Sequence, residues 1–129
     1  MTISTIENKK ILIVEDEAQL LNVLYDKLSL EGFSVLKASN GKKGLDVALS
    51  EHPALILLDI NLPVMNGIDM LKELRKDPVG KDIEVVMLTN FSEYKLLADA
   101  LALGVHDYLV KSDWKLEDVV KLVHEKIKD

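Results

Sequence analysis

The sequence predicts a doubly wound α/β fold, in which helices cover both faces of a five-stranded parallel β-sheet. The main observation is a set of five short apolar runs, each as long as a strand and several apolar throughout, as strands covered on both faces are. A helical period follows each run, and five strand–helix repeats joined by right-handed crossovers favour this fold. The five runs are Ile11–Val14, Val35–Ala38, Leu55–Leu58, Val85–Leu88 and Tyr108–Val110.

The helices are predicted from apolar residues spaced three and four apart, which place one apolar face against the sheet. Gly32 and Gly104 stand where helix C-caps are expected, and the segment from Asp77 to Gly80 is typical of a loop. For five such units the flavodoxin-like strand order 2-1-3-4-5 is the one we expect. The face-forming residues are Leu20, Leu21, Leu24 and Leu28; Leu45 and Ala48; Ile68, Leu71 and Leu74; Leu97, Ala100 and Leu101; and Leu116, Val119, Val120, Val123 and Ile127.

Length and composition indicate one domain and exclude several kinds of function. The chain has 129 residues and an apolar fraction of 48%, enough for a single core, so we expect a domain over residues 9–129 after a flexible tail at 1–8. The absence of cysteine excludes disulfides and thiolate sites and fits a cytoplasmic protein. A net charge of −6 disfavours direct nucleic-acid binding, and no apolar run is long enough to span a membrane.

Chemically complementary side chains stand at the ends of four predicted strands. Glu15 and Asp16 follow the first strand, Asp59 follows the third, Thr89 the fourth and Lys111 the fifth. Each residue alone has a structural interpretation as a turn, cap or solvated surface residue. Ligands of doubly wound sheets bind at the carboxyl ends of the strands, so the convergence of all five there predicts a functional pocket.

This set of groups suits the transfer of a phosphoryl group to a carboxylate. Clustered carboxylates need a cation to remain ionised together, and Mg²⁺ binds a few carboxylates together with waters and phosphoryl oxygens. A carboxylate is a known nucleophile towards phosphorus. The Thr89 hydroxyl and the Lys111 ammonium could then stabilise the charge on the transferred group.

The chain resembles the receiver domains of two-component response regulators from about Lys9 to Lys128. The resemblance implies that Asp59 is phosphorylated by a sensor histidine kinase or a histidine phosphotransfer protein. It implies a signalling switch that catalyses only its own phosphorylation and dephosphorylation and is otherwise not an enzyme. The matching segments, in order, are ILIVEDE at 11–17, LDINLPVMNG at 58–67, VMLT at 86–89 and GVHDYLVK at 104–111.

The same resemblance implies a metal site in which Mg²⁺, or Mn²⁺ in its place, is bound by four residues. Asp16 and Asp59 match direct carboxylate ligands, and Glu15 matches the acidic residue that acts through water. Asn61 matches the position whose backbone carbonyl completes the metal shell.

The resemblance also implies how the signal is read. Thr89 and Lys111 match the residues that contact the phosphoryl group, and Tyr108 matches the aromatic switch that turns inward when the threonine is drawn to the phosphate. The face formed by helix 4, strand 5 and helix 5 would bind an unknown downstream protein. The chain would be a monomer or a phosphorylation-dependent dimer.

The sequence departs from the family pattern next to two of these residues. Ser112 stands where a proline with a cis peptide bond is usual, and we predict a trans Lys111–Ser112 bond because a cis bond without proline is costly. Trp114 is either an interface anchor or a side chain that covers helix 5, and we favour the second.

Three positions near the acceptor are expected to tune access of water to the phosphoryl group, namely Asn61, Asn90 and Phe91. A large apolar ring at position 91 cannot hydrogen-bond an attacking water, so we predict slow hydrolysis of the aspartyl phosphate.

Three other functions compete with this interpretation. A degenerate receiver could act as a phosphorylation-independent interaction module, although every pocket residue is present. A nucleotide- or flavin-binding domain would cradle phosphate in the loop after strand 1, but Glu15-Asp16-Glu17 would repel it there. An aspartate-nucleophile phosphatase would need an acid two residues after Asp59, where this chain has Asn61.

Overall fold

A computed structural model describes residues 9–127 as a parallel sheet between two layers of helices. The predicted tail at residues 1–8 lies outside the described residues, as do residues 128 and 129. The strands are β1 Lys10–Val14, β2 Ser34–Ala38, β3 Leu55–Asp59, β4 Glu84–Thr89 and β5 Asp107–Val110. The helices are α1 Ala18–Leu30, α2 Gly41–Glu51, α3 Gly67–Lys76, α4 Leu97–Ala102 and α5 Leu116–Ile127, with a 3₁₀ helix at Phe91–Leu96.

The sheet has the order β2-β1-β3-β4-β5 with every pair parallel, which confirms the predicted fold. β3 lies at the centre, where all five of its residues are buried. Parallel strands need crossover connections, and the helices that provide them cover both faces of the sheet. None of the helices between residues 9 and 127 has the length and apolar character needed to cross a membrane.

Alternate residues of each strand belong to two separate cores, because successive side chains point to opposite faces of a sheet. Leu12, Ile56 and Met87 pack with residues of α2, α3 and α4. Ile13 and Leu57 pack on the other face with residues of α1 and α5. These two cores explain why the strands are apolar throughout rather than alternating.

Local signals place most helix ends as the sequence predicts. Gly32 and Gly104 both have a positive φ, 101° and 84°, just after the helices that they terminate. The side chains of Asn40 and Asn66 accept hydrogen bonds from Lys43 N and Asp69 N, both at 2.9 Å, and so cap α2 and α3.

The fourth helix differs from the prediction. α4 has only six residues, and the 3₁₀ turn precedes it in place of a longer helix. Ala100 is buried as expected, but Leu101 is 56% exposed and lines a surface groove. Leu101 stays exposed because it borders this groove beside Tyr94 and Tyr108, whereas Ala100 packs against the core.

Arg75, the only arginine of the chain, ties two connecting segments together at the end of the sheet opposite the strand carboxyl ends. Its guanidinium donates to the backbone carbonyls of Leu103, Gly80 and Ile83, each at 2.8 Å. One side chain therefore fixes the C-terminal end of α4 and the loop between α3 and β4.

We expect Arg75→Met to lower the free energy of unfolding by about 2–4 kcal/mol, because three charge-assisted hydrogen bonds are lost and the methionine offers no donor. Urea denaturation followed by circular dichroism would measure the change. Lys76→Met is the control, since this exposed lysine makes only a surface ion pair with Glu73. Equal free energies of unfolding in the two variants would contradict this stabilising role of the Arg75 hydrogen bonds.

Candidate functional site

The carboxyl ends of four strands bring the predicted residues to one edge of the sheet. Asp59 and Thr89 are the last residues of β3 and β4, and Glu15 and Lys111 directly follow β1 and β5. The backbone holds the last two in line with the sheet, because Glu15 N donates to Ala38 O at 3.0 Å and Lys111 N donates to Thr89 O at 2.8 Å. The pocket is thus a direct consequence of strand order.

The Lys111 ammonium lies between two buried carboxylates. Its Nζ is 2.7 Å from Glu15 Oε1 and 2.9 Å from Asp59 Oδ2. Glu15 and Asp59 are 0% and 1% exposed. No cis peptide bond occurs between residues 9 and 127, so the predicted trans Lys111–Ser112 bond is confirmed. The lysine therefore reaches the pocket without the proline that is usual after it.

Burial dominates the electrostatics of the pocket. It raises the pKa of Glu15 to about 7, although the hydrogen bond from Lys111 acts in the opposite direction. Burial likewise raises the pKa of Asp59 against the hydrogen bond from Lys111. Burial alone would lower the pKa of Lys111, but its two carboxylate partners outweigh that effect and raise it. One ammonium thus leaves the two carboxylates incompletely compensated.

Glu15, Asp16 and Asp59 form an oxygen-rich cluster that could hold a metal ion. One carboxylate oxygen of each residue lies within 4.8 Å of the others, and Asp16 is exposed while the other two are buried. Three carboxylates open to water on one side suit Mg²⁺, which prefers oxygen ligands and retains several waters. Asn61 adjoins this cluster, since its backbone N–H donates to Asp59 Oδ1 at 3.4 Å.

Thr89 and Asn90 connect the pocket to the 3₁₀ helix. The Thr89 side chain is fully buried, and its hydroxyl donates to Asn90 O at 3.0 Å. Asn90 and Glu93 form a capping box, in which Asn90 N donates to Glu93 Oε1 at 3.0 Å. From the sequence we assign Asn90 only an effect on access of water, whereas the spacing N-x-x-E of Asn90 and Glu93 also indicates this cap. The side chain of Phe91 lies outside the part of the chain that the structure describes.

Tyr108 lies away from the acidic cluster, on the surface beside α4. It is 44% exposed, and its ring packs edge-on against Tyr94 with 6.4 Å between ring centroids. Both rings line a largely apolar groove of about 490 Å³.

Trp114 packs against the core that faces α1 and α5, as expected of a side chain that covers helix 5.

Two glycines hold the loop after β3 close to Asp59. A Cβ on Gly67 would lie 2.1 Å from the carbonyl oxygen of Asp59, and a Cβ on Gly41 would lie 1.8 Å from that of Met65. Any side chain at either position would push the loop away from the pocket. These glycines therefore position Asp59 through backbone packing.

Comparison with known proteins gives relatives that share this architecture. The family model described as the response regulator receiver domain matches residues 11–124. A probable transcriptional regulator, ycf27 of Porphyridium aerugineum, is 36% identical over 105 residues, which are 81% of this chain and 42% of that protein. The chain thus spans about two fifths of such regulators. Sporulation initiation phosphotransferase F of Bacillus subtilis (strain 168) is 33% identical over 81% of this chain and 82% of its own length.

Solved structures of receiver domains resemble this fold. A CheY-like receiver domain protein from Methanospirillum hungatei has a TM-score of 0.84 and 28% identity, with 92% of this chain and 93% of that chain covered. The receiver domain of sensor histidine kinase PA1611 from Pseudomonas aeruginosa has a TM-score of 0.83 and 26% identity, with 93% and 98% covered. That structure has a magnesium ion coordinated in its active site cleft.

The β2-β1-β3-β4-β5 sheet and the acidic cluster at its edge agree with these comparisons. The chain belongs to the response regulator receiver domain family.

Proposed function

We propose that this chain, over residues 9–129, is a phosphorylation-dependent signalling switch that accepts a phosphoryl group on Asp59. The observation that carries the proposal is the position of Asp59, buried at the end of β3 with Lys111 Nζ 2.9 Å from its carboxylate. The donor is a phosphohistidine on a sensor histidine kinase or a histidine phosphotransfer protein.

In this reaction an Asp59 carboxylate oxygen attacks phosphorus and forms an O–P bond. The P–N bond of the phosphohistidine breaks, and its electron pair returns to the imidazole of the donor. Lys111, already beside Asp59, offers positive charge to the phosphoryl oxygens, and the Thr89 hydroxyl can donate to another after it leaves Asn90 O. Attack of water on the same phosphorus would return the carboxylate and release inorganic phosphate.

The residues present fit a bound Mg²⁺ ion. We propose that Asp16 and Asp59 bind it directly, that Glu15 acts through water and that the Asn61 backbone carbonyl adds a further oxygen, with Mn²⁺ as a substitute. The support is the cluster of three carboxylates within 4.8 Å. Once bound, the ion would neutralise negative charge that develops on the phosphoryl oxygens.

The output of the switch would follow from the connection between Thr89 and the 3₁₀ helix. Movement of Thr89 towards the phosphoryl group would pull on Asn90 and alter the groove beside Tyr108, so that a downstream protein reads the face formed by α4, β5 and α5. A net charge of −6 argues against nucleic-acid binding by this domain itself.

We propose that the protein is cytoplasmic and that it is either a monomer or a phosphorylation-dependent dimer.

Incubation with acetyl phosphate and Mg²⁺ should add the mass of one phosphoryl group to the intact protein. Asp59→Asn should abolish the adduct because it removes the carboxylate that we propose as the nucleophile. Asp46→Asn, on the exposed surface of α2, is the control and should label as the wild type does. A wild type that is never labelled would indicate the degenerate receiver, and labelling of Asp59→Asn would refute the acceptor.

Mg²⁺ binding should tighten as pH rises through about 7, because only ionised Glu15 favours the cation and its pKa is about 7. Without Mg²⁺, Glu15 stays protonated in the folded protein up to a pH of about 7. In the unfolded protein it loses the same proton near its ordinary pKa of 4.5. The free energy of unfolding should therefore fall as pH rises from about 4.5 to about 7.

Isothermal titration calorimetry and urea denaturation across this pH range would measure both effects. Glu15→Gln should weaken the pH dependence of both quantities, because glutamine cannot ionise. The part that remains would come from Asp59, whose pKa burial also raises. An unchanged profile in this variant would assign the titration to another group.

The lifetime of the aspartyl phosphate is proposed to depend on Asn61, Asn90 and Phe91. Phe91→Ala should speed hydrolysis, because loss of the ring would admit water to the phosphoryl group. Loss of label from gel-purified phosphoprotein would give the rate, and Ser92→Ala next to it is the matched control. A rate that is unchanged or lower in Phe91→Ala would exclude shielding by this side chain.

A further inference from the structure

The segment that connects β5 to α5 carries Lys111 at its first position and the only tryptophan of the chain at its fourth. This segment covers residues 111–115, and the two residues between the lysine and the tryptophan, Ser112 and Asp113, are polar and exposed. Trp114 is the one apolar residue of the segment. Contact between the segment and the interior of the domain therefore depends on the Trp114 side chain.

A tight turn holds Lys111 at the start of this segment. Asp113 N donates to Val110 O at 2.9 Å, so Lys111 and Ser112 are the two central residues of the turn. The Lys111–Ser112 bond is trans, and serine has no ring that restricts its φ. The turn can therefore change its orientation unless the residue that follows it is fixed. That residue is Trp114.

Trp114 is fixed by apolar packing. Its side chain packs against the core between the sheet and the helices α1 and α5. The indole Nε1 is buried, yet it has no hydrogen-bond partner among residues 9–127. An unpaired buried N–H is destabilising, so the apolar contacts of the ring, and not a hydrogen bond, hold the side chain in place.

The core that Trp114 joins ends at the acidic cluster. Successive side chains of a strand point to opposite faces of the sheet, so residues two apart point to the same face. Three apolar residues of this core each stand two positions before a residue of the pocket. The pairs are Ile13 and Glu15, Leu57 and Asp59, and Leu109 and Lys111. Trp114 therefore packs on the face of the sheet on which Lys111 meets its two carboxylates.

We propose that Trp114 is a positioning residue for the phosphorylation of Asp59. Its buried indole fixes the turn at Lys111 and so keeps the lysine Nζ 2.7 Å from Glu15 and 2.9 Å from Asp59. This inference rests on the proposed function. A lysine side chain loses conformational entropy when it is held in one geometry, and a mobile backbone would add to that loss. Trp114 fixes the backbone before the phosphoryl group arrives, and it acts through Lys111 rather than on the reacting atoms.

The rate of labelling by acetyl phosphate with Mg²⁺, followed by intact mass, tests this role. Trp114→Ala should lower the rate about tenfold, because a shift of about 1 Å in a group beside the reacting atoms slows a reaction by up to about 10²-fold. Trp114→Phe keeps an aromatic ring and loses the unpaired N–H, so it should retain most of the wild-type rate. Trp114→Leu keeps part of the apolar packing and should be labelled at an intermediate rate.

Val35→Ala is the matched control for loss of packing. Val35 is a partly buried residue of the same core, but it lies in β2, at the edge of the sheet opposite β5. Both alanine variants should unfold at a lower urea concentration than the wild type, and circular dichroism should show both to be folded under the labelling conditions. Val35→Ala should be labelled at the wild-type rate. If Trp114→Ala does not fold, Trp114→Leu takes its place in every comparison.

A double-mutant cycle with Lys111→Met shows whether Trp114 acts through Lys111. In the Lys111→Met background, Trp114→Ala should change the labelling rate by no more than about twofold, because the contribution of the lysine is already lost. The same cycle in urea denaturation requires no phosphorylation. The effect of Lys111→Met on the free energy of unfolding should be smaller in Trp114→Ala than in the wild type.

Labelling of folded Trp114→Ala at the wild-type rate would overturn the inference. So would an equal loss of rate in Val35→Ala, a loss in Trp114→Phe as large as in Trp114→Ala, or independent effects of Trp114→Ala and Lys111→Met in either cycle. A wild type that acetyl phosphate never labels would refute the proposed function instead. The urea cycle would then still decide whether Trp114 positions Lys111 at the carboxylates.

Discussion

The ion pairs between Lys111 and the two buried carboxylates are the interaction on which the site depends. Two carboxylates removed from water repel each other and would be strongly disfavoured without a cation. The ammonium lies 2.7 Å from Glu15 and 2.9 Å from Asp59, so it compensates both at once. β4 separates β3 from β5, so the lysine side chain crosses the end of β4 to reach them. Only this strand order gives the long, flexible lysine such a path past Thr89.

Lys111 compensates the negative charge of Glu15 and Asp59 only in part. Burial still raises the pKa of both carboxyl groups despite the lysine, so further positive charge would be favourable there. Exposed Asp16 leaves the cluster open to water and to a metal ion on one side. A buried carboxylate with one cation beside it and an open, exposed partner in Asp16 is the arrangement on which the proposed phosphoryl transfer to Asp59 depends.

Close backbone packing at two glycines holds Asp59 and the loop after β3 in position. Gly67 lets the loop after β3 lie against the carbonyl of Asp59, and Gly41 lets the start of α2 lie against Met65. The same packing holds Val64 outward with a φ of 69°, which is strained for a β-branched residue. The surface around Val64 and the groove near Tyr108 are thus separate, on the β3 and β5 sides of the pocket.

Sequence alone determined the fold, because continuous apolar strand runs, 3.6-residue periods and C-cap glycines act locally and agree with one another. It also determined which residues meet at the pocket, since the carboxyl ends of parallel strands share one edge. The short α4, the exposed Leu101 and the strained φ of Val64 came only from the tertiary structure. These three features depend on how loops and neighbouring elements pack. The spacing of residues along the chain does not encode that packing. That Lys111 reaches the pocket over a trans Lys111–Ser112 bond likewise came only from the tertiary structure.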